Sequence, residues 1–166
     1  MLADSLSPTT STLSSIEKKI TAALTQAQAS NPAAKVLLIL DYPSLLLATT
    51  PSLNSTTLST LILTLRSHPA VHSTLLTTPA DGPLLSATQA DANTAPTPIE
   101  SESAAFTVQQ AHSARSVLSV RELGTGAARD VSGVLRVTKG GKIDDEVKEW
   151  EGLYLVGRDG AVKIVD

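Results

Sequence analysis

The sequence contains no cysteine, and aromatic residues make up only 2% of its 166 residues. Without cysteine, disulfides, thiolate zinc sites and cysteine nucleophiles are excluded. With so few aromatics, a core must be built from Leu, Val, Ile and Ala. No apolar run approaches the roughly 18 residues of a membrane-spanning helix, and residues 1–15 lack the basic and apolar parts of a secretory signal. We therefore expect a cytoplasmic protein that does not contact a membrane.

Charge is scarce in the middle of the chain. The net charge of −3 argues against a globally basic nucleic-acid binder but is compatible with a local basic patch. Between Asp41 and Glu100 the only charged residues are Arg66, Asp81 and Asp91, whereas residues 121–166 contain 8 basic and 9 acidic residues. Because interface cores are depleted in charge, the charge-poor segment predicts a surface that meets another subunit. The alternative is a buried core beside an uncharged surface rich in Ser and Thr.

The first half of the chain alternates predicted helices and strands. Residues 1–13 are predicted to be a disordered lead-in, followed by one domain over residues 14–166. Ser14-x-x-Glu17 predicts a capping box that starts a helix ending near residue 29. The segment KVLLILD (35–41) is typical of a strand buried on both faces, as in a parallel sheet with helices on each side. The apolar spacing then predicts a helix over 54–67, and a second strand follows over 71–78.

The C-terminal third has a different pattern. A long loop is predicted over residues 86–100, a helix over 101–113, and a third strand over 116–121. After these, residues 131–139, 149–157 and 161–165 alternate or are β-branched, which predicts an antiparallel meander. Asp159-Gly160 predicts a type I′ hairpin turn, in which both central residues have positive φ. The predicted fold class is therefore α/β, with parallel strands followed by a C-terminal antiparallel meander.

The end of the first strand carries the one motif with catalytic meaning. In P-loop ATPases an acid at the position of Asp41 holds Mg²⁺. The companions are missing, because no G-x-x-x-x-G-K-[ST] occurs, and Tyr42 stands where a second acid is expected. Gly140-Gly141-Lys142 lacks both the spacing and the Ser or Thr of a phosphate loop. We favour a structural role for Asp41; the alternative is a RecA-class nucleotide-binding ATPase with Asp41 as its metal acid.

Other candidate motifs have simpler explanations. His68, His72 and His112 do not have the spacing of a zinc set, so we expect no metal site. Glu100 and Glu102 lie where a helix begins, and there capping explains them without acid–base catalysis. No catalytic residues are predicted.

Several segments together resemble the family of the sixth Elongator subunit, in its fungal form. They are VLLILDYPSLLLA (36–48), LILTLRSH (61–68), TPADGPLL (78–85), and above all residues 111–139, which include AHSAR and most of LGTGAARDVSGVLRVTKGG. The closing EWEGLYLVGRDGAVKIVD is also similar to the terminal strands of that family.

The resemblance implies a RecA-like, P-loop-type core without a working Walker A motif. It implies a non-catalytic subunit that joins the fourth and fifth Elongator subunits in a hetero-hexameric ring. That ring binds tRNA and associates with the larger Elongator subunits, which modify wobble uridine. Nucleotide turnover is expected only in the assembled ring, and no cofactor is expected for this chain. The implied location is the cytoplasm, with the nucleus as a second location.

The resemblance also assigns residues. Asp41 occupies the Walker B-like position, and Arg115, Arg121, Arg129 and Lys139 are candidate tRNA-facing residues. Family members carry a further N-terminal portion with the first, central strand, so the resemblance implies an N-terminally shortened core. Loss of a central strand predicts unpaired strand edges and exposed apolar surface, unless the neighbouring strands close up.

Overall fold

The computed structural model describes residues 8–50, 52–80, 95–123, 130–141 and 146–165. Its elements are, in chain order, α1 (Pro8–Ser30), β1 (Val36–Leu40), α2 (Leu45–Thr49), α3 (Ser55–Arg66), β2 (Val71–Leu76), α4 (Pro98–Ser113), β3 (Ser116–Arg121), β4 (Gly133–Lys139), β5 (Trp150–Val156) and β6 (Val162–Val165). The chain forms two compact units, Met1–Gln109 and Gln110–Asp166. The first contains a two-stranded parallel sheet and the second a four-stranded antiparallel sheet. The fold class is therefore mixed α/β, as predicted at that level.

The first unit is built around the parallel pair β1–β2. The strands align Leu38 with Thr74 and Leu40 with Leu76, and an irregularity between Val36 and Leu37 shifts the register. Helices α1 and α3 pack against this sheet and against each other. Asn54 caps α3, because its side-chain oxygen accepts a 2.8 Å hydrogen bond from the Thr57 N–H. Such caps favour helix initiation, since they satisfy an amide that has no partner inside the helix.

One aromatic side chain lies at the centre of this unit. Phe106 of α4 has no exposed surface and belongs to the same apolar cluster as Leu58, Ile62 and Leu65 of α3. Several smaller aliphatic side chains complete the cluster, in agreement with the composition. Phe106 therefore fixes α4 to the first unit.

Two glutamates at the start of α4 cap helices, which agrees with the prediction that capping explains them. Glu100 accepts hydrogen bonds from the N–H and the hydroxyl of Thr97, both at 2.7 Å, which completes a capping box. Glu102 reaches a different helix and accepts a 2.5 Å bond from the Ser55 N–H at the start of α3. Hydrogen bonds from the side chain and backbone of Thr97 hold the pKa of Glu100 below its usual value, and those from Ser55 do the same for the pKa of Glu102. Both carboxylates thus have structural partners.

The second unit is a meander in the order β3–β4–β5–β6, antiparallel throughout. The last hairpin closes through hydrogen bonds from the Gly157 N–H to the Ala161 carbonyl and from the Gly160 N–H to the Gly157 carbonyl. Gly160 has φ = 79°. Asp159 does not have positive φ, so the predicted type I′ turn is wrong. The hairpin itself is confirmed, and its geometry fits a type I turn followed by a glycine bulge.

Three further predictions require correction. The strand over 116–121 exists, but it pairs antiparallel with β4 as the first strand of the meander, outside the parallel sheet. The strand β1 is not buried on both faces, because Leu37 and Ile39 are 54% and 58% exposed. Helix α1 begins at Pro8, so Ser14 and Glu17 lie inside it and do not start it. Residues 8–13 of the predicted lead-in belong to this helix, while residues 1–7 lie outside the described part of the chain.

Candidate functional site

The carboxyl end of the parallel sheet carries a small polar group around Asp41. This edge is where ligands bind in open α/β sheets. The Thr77 hydroxyl, from the end of β2, donates a 2.5 Å hydrogen bond to Asp41 Oδ1. The same hydroxyl accepts a 2.9 Å bond from the Tyr42 N–H. Asp41 and Thr77 thus tie together the two segments that leave the sheet.

The chain bends sharply directly after Asp41. Tyr42 has φ = 51°, in the left-handed region that non-glycine residues rarely adopt. Its amide is held by Thr77, which supports this conformation, and its ring remains exposed. Strained residues of this kind persist where surrounding contacts fix them. The observed contact of Asp41 is therefore one that stabilises a turn.

A chain of hydroxyl groups continues inward from this edge. Ser44 Oγ lies 3.3 Å from Thr78 Oγ1, which in turn lies 3.2 Å from Thr107 Oγ1 of α4. Ser44 is buried, and Thr78 and Thr107 are half-buried. These hydroxyls satisfy one another, so they link the start of α2 and the segment after β2 to α4 without requiring a bound ligand.

The sequence has no phosphate-binding G-x-x-x-x-G-K-[ST] loop to place at this edge. Over the described ranges, no group of three or more His, Cys, Asp and Glu side chains is placed to bind a metal ion. The Gly140-Gly141 pair has another role. Its two N–H groups donate to the carbonyls of Arg115 and His112, at 3.0 and 3.1 Å, where α4 ends. A Cβ atom at either glycine would overlap that backbone, which explains the glycines without a phosphate.

The three described candidates for tRNA contact, Arg115, Arg121 and Lys139, do not form one patch. Arg115 and Lys139 lie at one end of the meander, since Ser116 pairs with Lys139. Arg121 lies at the opposite end of β3, about 17–20 Å away by strand geometry. Arg129 falls in residues 124–129, outside the described part of the chain.

Glutamates already neutralise two of these cations. Arg115 forms an ion pair with Glu146, and Arg121 with Glu151 at 3.4 Å. All four side chains are exposed, so these pairs hold the arginines only loosely. The role of Arg115, Arg121, Arg129 and Lys139 in tRNA contact stays a prediction.

The sequence did not predict which sheet faces carry the exposed apolar side chains. On the parallel sheet, Leu37 and Ile39 of β1 share one face with Leu75 of β2, and all three are exposed. We call this the outer face of the parallel sheet. The opposite face carries Leu38, which is buried in the core. Exposed apolar surface was expected, but the sequence did not indicate which face carries it.

A larger apolar surface covers one face of the meander. The cross-strand pairs place β3 residues 118 and 120, β4 residues 135 and 137, and alternate residues of β5 and β6 on this face. Its exposed side chains, which define the apolar meander face, are Leu118, Val120, Trp150, Val156, Val162 and Ile164. The period-two alternation within each strand is the sequence signal that could have located this face.

Two comparisons with known proteins give no match. No protein-family model matches the chain, and no curated protein matches it at a significant level. Among the helices that the structure describes, none has the length and apolarity needed to cross a bilayer. The exposed apolar faces and the locally satisfied polar edge are therefore the features from which a function must be argued.

Proposed function

We propose that this chain is a non-catalytic subunit of Elongator with a RecA-like, P-loop-type core. In this proposal it assembles with the fourth and fifth subunits in a hetero-hexameric ring that binds tRNA for wobble-uridine modification. The resemblance of residues 111–139 to the sixth-subunit family supports the identity of the complex. The parallel strands β1 and β2, with helices before and between them, are compatible with such a core.

The observation that carries the proposal is the outer face of the parallel sheet. Leu37, Ile39 and Leu75 are of the type that sheets bury, yet about half of each side chain is exposed. No charged side chain lies between them, since the fourth position on this face is Ser73. Contiguous apolar surface of this kind marks a protein contact. A subunit that works through its neighbours accounts for it.

The polar edge supports a non-catalytic role. The Asp41 carboxylate accepts the Thr77 hydroxyl, and that hydroxyl also holds the strained Tyr42 backbone. A metal-binding acid in a P-loop enzyme acts together with a phosphate cradle and a bound nucleotide. The ATPase alternative predicts robust ATP turnover by the isolated chain that Asp41→Ala abolishes. Our proposal predicts no turnover by the isolated chain.

The assembly test is co-purification of the chain with the fourth and fifth Elongator subunits. We expect the three proteins to elute together, and Leu37→Lys to remove this chain from the complex. The matched control is Leu63→Lys, because Leu63 is similarly exposed at 60% but lies on α3. If the unmodified chain does not join the other two subunits, the proposal is wrong. If both variants join equally well, the outer face is not the contact.

The tRNA test uses Arg129→Glu in the assembled ring. We expect weaker tRNA binding and a shallower dependence of the binding constant on salt. The reason is that binding releases fewer counterions from the tRNA when one phosphate contact is lost. The control is Arg158→Glu, an exposed arginine in the last hairpin that is not among the nominated residues. Unchanged affinity and salt dependence in Arg129→Glu would mean that other subunits supply the contacts.

A further inference from the structure

Four hydroxyl residues of the chain are followed directly by proline. They are Ser7, Thr50, Thr78 and Thr97. One class of protein kinases, the proline-directed class, phosphorylates serine or threonine where proline comes next. Proline suits the substrate pocket of these kinases because it has no backbone N–H that would need an acceptor there. Ser7 lies outside the described part of the chain, so the structure separates only the other three.

Exposure distinguishes the three described candidates. Thr97 is exposed, whereas Thr50 and Thr78 are half-buried. The Thr78 hydroxyl also lies 3.2 Å from that of Thr107, so a phosphate on Thr78 would break a contact inside the fold. Pro98, which follows Thr97, is exposed as well. Of the three, Thr97-Pro98 is therefore the pair that a kinase can reach in the folded chain.

The charge around Thr97 does not suit kinases that read basic residues. No lysine or arginine occurs between Arg66 and Arg115. A kinase with an acidic substrate groove therefore finds no cation beside the acceptor to pair with. An acid-directed kinase would read Glu100, three residues after Thr97. In the folded chain that carboxylate is bound by Thr97 itself, whereas Pro98 is exposed, so the proline is the more accessible recognition element.

The first turn of α4 can open locally. Kinases bind the acceptor and its neighbours in an extended conformation, so this turn has to unwind next to Thr97. Its hydrogen bonds join Thr97 to Glu100 and Ser101 at the end of a helix, where fraying is common. The buried side chains Ala104 and Phe106 come later in the helix. Opening of the first turn therefore leaves these buried contacts in place.

A phosphate on Thr97 would replace the carboxylate that now caps this helix. Glu100 accepts the N–H and the hydroxyl of Thr97, both at 2.7 Å, and a phosphate dianion at that position repels the carboxylate. The Glu100 N–H already lies 3.3 Å from Thr97 Oγ1, within reach of a phosphate oxygen on the same side chain. Negative charge is favoured at a helix start. The modified helix thus stays capped, and the Glu100 side chain is released.

We propose that Thr97 is a phosphorylation site for a proline-directed protein kinase. The Thr97 hydroxyl oxygen attacks the γ-phosphorus of ATP, the bond between that phosphorus and the leaving ADP oxygen breaks, and the hydroxyl proton passes to the base of the kinase. The kinase supplies ATP and Mg²⁺, and this chain supplies only the acceptor. This inference does not depend on the proposed function.

The test is incubation of the full chain with Mg-ATP and a purified proline-directed kinase, followed by mass spectrometry with peptide mapping. We expect a phosphoryl group on Thr97 and none on Thr50 or Thr78. Thr97→Ser keeps an acceptor hydroxyl and should still be phosphorylated. Pro98→Ala keeps the Thr97 hydroxyl but removes the recognition element, so the rate at Thr97 should fall by at least about tenfold. Circular dichroism verifies that each variant is folded.

A second measurement follows the released carboxylate. Hydrogen bonds from Thr97 hold the pKa of Glu100 below its usual value. Phosphorylation should raise this pKa, because those bonds are lost and the phosphate repels the ionised form. A nuclear magnetic resonance titration of the Glu100 side chain measures the change, and an unchanged pKa would refute the exchange of caps.

Three outcomes of the kinase assay would overturn the proposal. The first is a folded chain in which Thr97 receives no phosphoryl group. The second is an equal rate in Pro98→Ala and the unmodified chain, since the proline would then not be read. The third is faster transfer to Thr97 by a purified acid-directed kinase, which would identify Glu100 as the recognition element.

Discussion

Replacing Phe106 with Ala tests how the first unit is held together. Phe106 is the only phenylalanine in the chain and has no exposed surface. It is the one large aromatic in a cluster that otherwise consists of Leu and Ile side chains. Truncating a fully buried Phe removes its burial and leaves a cavity, which together cost about 3–5 kcal/mol. Since whole domains are stable by only about 5–15 kcal/mol, this loss is large.

Urea unfolding followed by far-UV circular dichroism measures the effect. With an m-value of about 2 kcal/mol/M, a loss of about 4 kcal/mol lowers the urea midpoint by about 2 M. The matched control is Val108→Ala on the same helix, because Val108 is 47% exposed and should cost less than about 1 kcal/mol. If the free energy of unfolding of Phe106→Ala lies within about 1 kcal/mol of that of the unmodified chain, the described core does not depend on α4 and the reasoning fails.

Three smaller changes test local contacts. Glu102→Gln removes the charged cap on Ser55 and should cost about 1 kcal/mol at neutral pH. Folding lowers the pKa of Glu102, so the stability that this carboxylate contributes is present above its usual pKa and disappears as the pH falls below about 4. The difference between the urea midpoints at neutral and acidic pH should therefore be smaller in Glu102→Gln than in the unmodified chain. Gly160→Ala should cost about 1–2 kcal/mol, because φ is 79°, and a thermal melt followed by Trp150 fluorescence measures it. Asp41→Asn keeps an oxygen that can accept the Thr77 hydroxyl, so the free energy of unfolding, measured by urea titration, should change by less than about 1 kcal/mol. The Glu102 contact is contradicted if acidification destabilises Glu102→Gln as much as the unmodified chain. Unchanged stability of Gly160→Ala would contradict the strained turn, and a large loss of stability in Asp41→Asn would contradict the assigned Thr77 hydrogen bond.

Local sequence patterns predicted most elements because their signals are local. The apolar stripe of α3 and its end before His68-Pro69 lie within a few residues of one another, and the observed bounds agree. Asp159-Gly160 located the last hairpin because either turn type requires a glycine with positive φ there. The φ of Asp159, which distinguishes the two turns, depends on how the strands align, and that is not a local property.

Features that depend on distant partners could not be read in this way. A run such as VLLIL favours a strand, but burial of one face or both depends on what packs above and below it. The segment SVLSVR predicted β3 correctly, yet its antiparallel pairing is decided by β4. The sequence placed Glu102 at a helix start, but its contact with Ser55 lies 47 residues away along the chain. The same limitation left Asp41 ambiguous, since its Thr77 partner comes from another strand.

The central claim is that the chain acts through the surfaces it offers to other proteins. Native mass measurement of the chain, alone and mixed with the fourth and fifth Elongator subunits, tests this most directly. We predict that the chain alone does not form the hexamer and that the mixture contains a hetero-hexamer that includes it. A chain that keeps its own mass in the presence of both subunits would contradict the account.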